Sequence, residues 1–337
     1  MKLLIFEYAT ALGLDDPSLT VEGTHMLKGL VDDLDNANTS YLISSDSPEL
    51  KSSSNCTPIS INGDLSLWLD ENISNYDACL AVAPEEDRIL YNITHLLEEN
   101  NIKVIGSSSE AVLACSDKYR TYQLLEDKFP LINSEKVFFN ELKEYKNQMS
   151  KLDKMLVKPA DGVSCSGVRI VQSYAEFIRA SAQIKKTTKL PFFILQDYQK
   201  GASASVSVLS TGEKATPISL NRQDILLKDG RLVYNGGEVP YEHRLSDEAL
   251  ELSKNAVKSI TGLRGYVGVD LVMDDEEDEI YILEINPRLT TSFVALRRLV
   301  NFNLTEAIIN ASHGRLPQDI EIKGSLTFRK DDSIIFK

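Results

Sequence analysis

The chain alternates short, wholly apolar runs with stretches in which apolar residues return every three or four positions. Leu3–Phe6, Tyr41–Ile43, Cys79–Ala83 and Val104–Ile105 are continuous and brief, which predicts buried strands. Between them, Gly23–Leu34 carries Met26, Leu27, Leu30, Val31 and Leu34 at the 3.6-residue period of a helix, as do Leu65–Ile73 and Asp87–Leu97. Strand alternating with helix predicts a doubly wound parallel sheet over residues 1–106, covered on both faces. Ser44–Asn62 is rich in Ser, Asn, Asp and Pro, shows no period and reads as a surface loop.

After Gly106 the pattern changes. Ser107–Ala114 and Asp117–Glu126 predict two short helices, followed by strands at Lys136–Phe139, Met155–Pro159 and Val168–Val171 and a helix at Ala175–Lys185. The small-residue segment Ala160–Gly167 joins two of those strands. Gly162, Ser164, Ser166 and Gly167 leave its backbone nearly bare, so its N–H groups can cradle phosphate oxygens; the same composition also describes a plain turn. Phe192–Tyr198 and the alternating Ser203–Val208 read as strands and Ser246–Ile260 as a helix. Gly265–Met273 and Ile280–Arg288 are apolar strands joined by the acidic turn Asp274–Glu279, and Gly236-Gly237 is either a hairpin turn or a substrate-facing loop. The expected division is therefore 1–106, then two α+β lobes at 107–190 and 191–337.

Composition narrows the function. Among 337 residues, 36 Lys+Arg stand against 50 Asp+Glu, a net charge of −14, so there is no electrostatic reason to seek nucleic acid or an anionic bilayer. Small molecules are the expected partners. No run approaches the roughly 18 apolar residues of a membrane span, and Met1–Phe6 is too short for a signal-peptide core, which points to the cytoplasm. Cys56, Cys79, Cys115 and Cys165 are widely spaced and make neither a zinc motif nor a disulfide framework. His25, His95, His243 and His313 are equally scattered.

The chemistry concentrates in the last two apolar strands, each of which embeds one carboxylate. Burying an unpaired charge costs several kcal/mol, so Asp270 and Glu284 need a partner. In an antiparallel hairpin they lie side by side, with Asn286 on the same face as Glu284. Two carboxylates and an amide oxygen are hard ligands that suit Mg²⁺. Neutralisation by an arginine such as Arg288 or Arg264 is the other reading. Arg222 and Arg244 are each either a partner for a substrate carboxylate or half of a surface ion pair. Glu7 stands at the C-terminal end of the first strand, where open α/β sheets dock ligands. Glu22 precedes the first predicted helix, either beside backbone amides that receive an anion or as a complement to the helix dipole.

Taken in order, Lys118 in Ser-Asp-Lys, Lys158 in Leu-Val-Lys-Pro, the loop Ala160–Gly167, Gln196-Asp197-Tyr198 before Gly201, Asp270 and Glu284-Ile285-Asn286-Pro287-Arg288 resemble the ATP-grasp superfamily over roughly Ile102–Ala311. Phe6–Ala9, Glu22–Leu27 and Asn286–Ser292 further resemble its tyramine–glutamate ligase branch, which serves methanofuran biosynthesis. The resemblance implies an ATP-grasp fold: an N-terminal parallel-sheet domain and two α+β lobes clasping ATP. It implies that Lys118 and Lys158 neutralise the phosphates, that Gly162, Ser164, Ser166 and Gly167 close over them, and that Gln196, Asp197, Tyr198 and Gln199 edge the adenine. Where many members carry a ribose-binding glutamate, this chain has Ser203. Asp270, Glu284 and Asn286 would hold one or two Mg²⁺, or Mn²⁺, and Arg288 would face the transferred phosphoryl group or the substrate acid. The implied activity is ADP-forming amide synthesis from a carboxylic acid and an amine, and since members of the family commonly dimerise, a homodimer is the implied assembly. Ligation of other amino acids, or nucleotide binding without turnover, are the competing expectations.

Overall fold

The early apolar runs form a five-stranded parallel sheet in the computed structural model, which describes residues 1–47, 50, 52, 54–149, 154–163, 165–330 and 334–336. Its strands are Leu3–Glu7 (β1), Thr39–Ser44 (β2), Thr57–Ile61 (β3), Ala78–Val82 (β4) and Lys103–Val104 (β5), in the order β3-β2-β1-β4-β5. Successive side chains of β1 point to opposite faces and feed two cores. Leu3 and Ile5 pack with Met26, Leu27 and Leu30 of helix Pro17–Asp32; Leu4 and Phe6 pack with Leu69, Leu90 and Leu97 of helices Leu65–Asn72 and Ile89–Glu99.

Two local expectations are corrected. The first long helix begins at Pro17, six residues before Gly23. Proline suits the first helical position, and Asp16 Oδ1 accepts from Leu19 N at 3.2 Å. The stretch read as an aperiodic loop contains β3, an edge strand on which Thr57, Ile59 and Ile61 alternate and the missing N–H of Pro58 is tolerated.

The described residues also contain an eleven-stranded sheet. Ser134–Phe138 (β6), Met155–Lys158 (β7), Arg169–Val171 (β8) and Phe192–Asp197 (β9) stand in the order β8-β7-β9-β6. β9 pairs with both β7 and β6, so the strand after residue 190 belongs with the strands before it. Ala202–Thr211 (β10), Ala215–Lys228 (β11), Arg231–Val239 (β12), Arg264–Asp274 (β13) and Glu279–Asn286 (β14) run β14-β13-β10-β11-β12 and meet the first group at the pair Arg231–Arg169. Leu326–Lys330 (β15) and Ile334–Phe336 (β16) extend from β12. The β11–β12 turn falls at Asp229-Gly230, both at positive φ, and not at Gly236-Gly237. That glycine pair lies inside β12, where a Cβ would sit 2.1 Å from Phe328 O or 2.3 Å from Arg222 O, so the strands close only over bare backbone.

Helices Ser292–Leu296 and Leu304–Ala311 return to the N-terminal sheet, and Phe293, Leu296 and Ile308 share one core with Leu27 and Leu30. Arg297 pairs with Asp33 across the same seam. Among the described residues no helix is long and apolar enough to cross a membrane.

Candidate active site

Register places the acids. Asp270 on β13 is the direct cross-strand partner of Glu284 on β14, and Asn286, two residues on, keeps to the face of Glu284. Asp270 accepts from Gln223 Nε2 at 3.0 Å and from Asn286 Nδ2 at 3.2 Å. Lys118 is the first residue of helix Lys118–Leu125, which Asp117 caps by accepting from Tyr119 N and Arg120 N. Its Nζ lies 2.6 Å from Glu284 Oε2 and donates to Gly162 O at 2.7 Å, tying the glycine loop to the acids. The buried Lys158 ends β7 and donates to Gln196 Oε1 at 3.1 Å; Gln196 Nε2 in turn donates to Ser134 Oγ at 2.8 Å.

The electrostatics are those of a charged cluster withdrawn from water. Burial, reinforced by Glu284, pushes the Asp270 carboxyl well above the usual carboxylate range. Burial pushes Glu284 the same way, but the Lys118 ammonium and its hydrogen bond, with help from Lys158, outweigh it and hold this carboxyl low. Lys118 is opposed by burial and raised on balance by Glu284. Lys158 is brought down to about 8 by burial, then by the neighbouring Lys118. Among the described residues no arginine forms an ion pair with Asp270 or Glu284; the cation on Glu284 is Lys118, 2.6 Å from its Oε2. Arg288 instead grips Glu85, with Nε at 2.9 and 3.0 Å from its two carboxylate oxygens and Nη2 at 2.9 Å from Oε2.

These groups open on one cavity of about 330 Å³. Lys118, Lys158, Gly162 and Ser166 line it together with Asp270, Glu284, Asn286 and Arg288. So do Gln196, Tyr198, Gln199 and Ser203, together with Glu22 and Arg222. Glu22 accepts from Thr291 Oγ1, while Arg222 Nε lies 3.3 Å from its cross-strand partner Glu238.

Four expected residues do not line the cavity, and Ser164 lies outside the described residues. Glu7 is a helix cap: its carboxylate accepts from Ala9 N at 3.1 Å and from Thr10 N at 2.8 Å and Oγ1 at 2.7 Å. Arg244 is held on the acidic turn by Asp275 and Asp278, which is its surface ion-pair reading. Asp197 accepts from Asn133 Nδ2 at 3.2 Å. Gly167, at φ 75°, packs against Pro159 and shapes the turn. Sequence reasoning passed over Glu85, Gln223, Tyr234 and Thr291. Only the acidic residue of Ala-Pro-Glu after β4 offered a signal, since it stands at the ligand-docking edge of the parallel sheet.

The donor set fits magnesium. Asp270, Glu284 and Asn286 are hard donors on adjoining strands, and Mg²⁺ needs few protein ligands when phosphate oxygens and waters complete its shell. Among the described residues no cluster of three or more His, Cys, Asp or Glu offers an alternative.

Comparison with known families agrees with this geometry. The ATP-grasp domain model matches residues 115–292, from helix Ser109–Ser116 to the segment beyond Asn286, and a pre ATP-grasp domain model matches residues 38–112. The chain belongs to the ATP-grasp family. A tyramine–L-glutamate ligase of Methanocaldococcus fervens is 35% identical over 95% of this chain and 98% of its own length. The Methanocaldococcus jannaschii enzyme of the same name is 33% identical over 96% of this chain and 92% of its own. A crystal structure of an ATP-grasp superfamily protein from Archaeoglobus fulgidus superposes with a TM-score of 0.70 at 27% identity, covering 98% of this chain and 92% of that one. This protein is an ATP-grasp ligase.

Proposed function

We propose that the ligase joins the γ-carboxylate of L-glutamate to tyramine, a step of methanofuran biosynthesis, through an acyl-phosphate intermediate. The observation that carries the reading is the convergence of Lys118, Lys158, Asp270, Glu284 and Asn286 on one cavity, in a chain alike over nearly its whole length to two tyramine–L-glutamate ligases. Asp270, Glu284 and Asn286 are the residues to hold Mg²⁺, which when bound supplies Lewis-acid neutralisation of phosphate charge. Lys118 and Lys158 meet ATP phosphates beside these acids, and Gln196, Tyr198 and Gln199, with Ser203, face the nucleoside. Arg288 faces the transferred phosphoryl group or the acid.

The chemistry explains why cations crowd here. A carboxylate oxygen attacks the γ-phosphorus as the bond to ADP breaks, and negative charge spreads over the equatorial oxygens, so fixed positive groups lower the barrier. The amine nitrogen then attacks the acyl carbon and phosphate departs, leaving an amide. Water competes for that intermediate, and the loop around Gly162 and Ser166, tied to Lys118, is placed to exclude it. ADP release measured with glutamate and tyramine together and singly, with product mass, tests the reading. ADP formed without an amine, or nucleotide bound without turnover, sinks it; a screen of other amines that outperform tyramine corrects the substrate. A homodimer in the cytoplasm accompanies this reading and is checked by sedimentation.

A further inference from the structure

Arg288 lines the cavity, yet it is anchored by a residue of the N-terminal sheet's turn. Glu85 follows β4 by three residues and is only 5% exposed. It takes the guanidinium side-on: Nε donates to both carboxylate oxygens and Nη2 stands 2.9 Å from Oε2, while Nη1 donates to Leu289 O at 3.1 Å. A guanidinium has five N–H donors in a planar fork. These hydrogen bonds use the one on Nε and one on Nη1, which leaves N–H groups on Nη1 and Nη2 for the cavity that Arg288 lines. The turn that carries Glu85 continues through Asp87 and Arg88, both left-handed at φ 51° and 61°; such backbone persists in non-glycine residues only where the surroundings over-determine it.

We propose that Glu85 is a positioning residue of the ligase, which holds Arg288 side-on so that its remaining Nη1 and Nη2 N–H groups face the reacting oxygens. This rests on the role given to Arg288 above. A side chain that orients a catalytic group through a buried ion pair acts on turnover more than on nucleotide affinity, and substitutions of this kind cost about 10- to 100-fold.

The test measures kcat, KM for ATP and thermal unfolding for Glu85→Gln, Arg288→Ala and the double variant. Glu85→Gln is expected to lower kcat by about 10- to 100-fold with KM for ATP within about twofold. In the Arg288→Ala background the same substitution should change kcat by less than about twofold, because the group it orients is gone. Wild-type kcat in Glu85→Gln, or an equal loss in both backgrounds, overturns the proposal while the ligase reading stands. Wild-type turnover in Arg288→Ala refutes the role of Arg288 and this proposal with it. Should Glu85→Gln fail to fold, Glu85→Asp carries the test. It keeps the charge and shortens the arm by one methylene, so a lowered kcat at unchanged unfolding temperature supports positioning and a wild-type kcat overturns it.

Discussion

Replacing Lys158 with methionine separates what the lysine costs the fold from what it contributes to the reaction. Burial brings its pKa from the ordinary 10.5 down to about 8. At about 1.4 kcal/mol per pH unit, keeping it charged in the folded protein at neutral pH costs on the order of 3 kcal/mol. Methionine is of similar length and carries no charge, but it forfeits the hydrogen bond to Gln196 Oε1, a loss of about 1–2 kcal/mol. The variant is therefore expected to be about 1–2 kcal/mol more stable at pH 7. The folded lysine gives up its proton near pH 8 and the unfolded one near 10.5, so in that window the folded wild type holds fewer protons and gains stability as pH rises. The variant's advantage should accordingly shrink between pH 8 and 10.5. Urea unfolding at pH 7 and pH 10 reads both numbers, and coupled ADP release should fall by about 100- to 1000-fold. A variant less stable than wild type at pH 7, or a gap unchanged at pH 10, refutes the burial argument; wild-type turnover removes Lys158 from the site.

Glu284→Gln should abolish ligation through weakened Mg²⁺ binding, and turnover that matches wild type at limiting magnesium would contradict the metal assignment. Gly23→Ala places a Cβ 1.9 Å from Glu7 Oε2; because that carboxylate is pinned as a buried helix cap, the substitution should cost about 1–3 kcal/mol in place of the usual gain for a helical glycine, read as a lowered unfolding temperature. Arg244→Ala, which only loosens exposed ion pairs on the acidic turn, should leave turnover unchanged and move stability by about 0.5 kcal/mol or less. A large kinetic effect there would move Arg244 into the site.

Periodicity made the N-terminal sheet legible, because β1, β2 and β4 are buried on both faces and leave unbroken apolar runs. The strand pair β13–β14 was legible for a different reason: a lone acid in each apolar run requires a common partner, and register then sets Asp270 opposite Glu284. β3, β11 and β12 escaped notice since each has exposed positions and polar residues that blur the alternation. Glu7 and Arg244 show the limit of residue type as a guide. Both suit a substrate, and the nearby backbone N–H groups of Ala9 and Thr10 in one case, and Asp275 and Asp278 in the other, engage them first. Glu85 sits in an acidic run that resembles a solvated turn, and its partner Arg288 is 203 residues away, beyond any local pattern.

The seam between helix Pro17–Asp32 and the helices after residue 290 has a bearing on biosynthesis. Asp33 and its partner Arg297 are 264 positions apart, and the apolar face of the early helix is sealed in part by Phe293 and Leu296. At roughly 5–20 residues per second, a ribosome needs about 13 to 50 s to deliver that seal. During the interval the nascent chain displays an open greasy stripe, which makes the emerging polypeptide a client for holdase chaperones and leaves truncated products prone to clump.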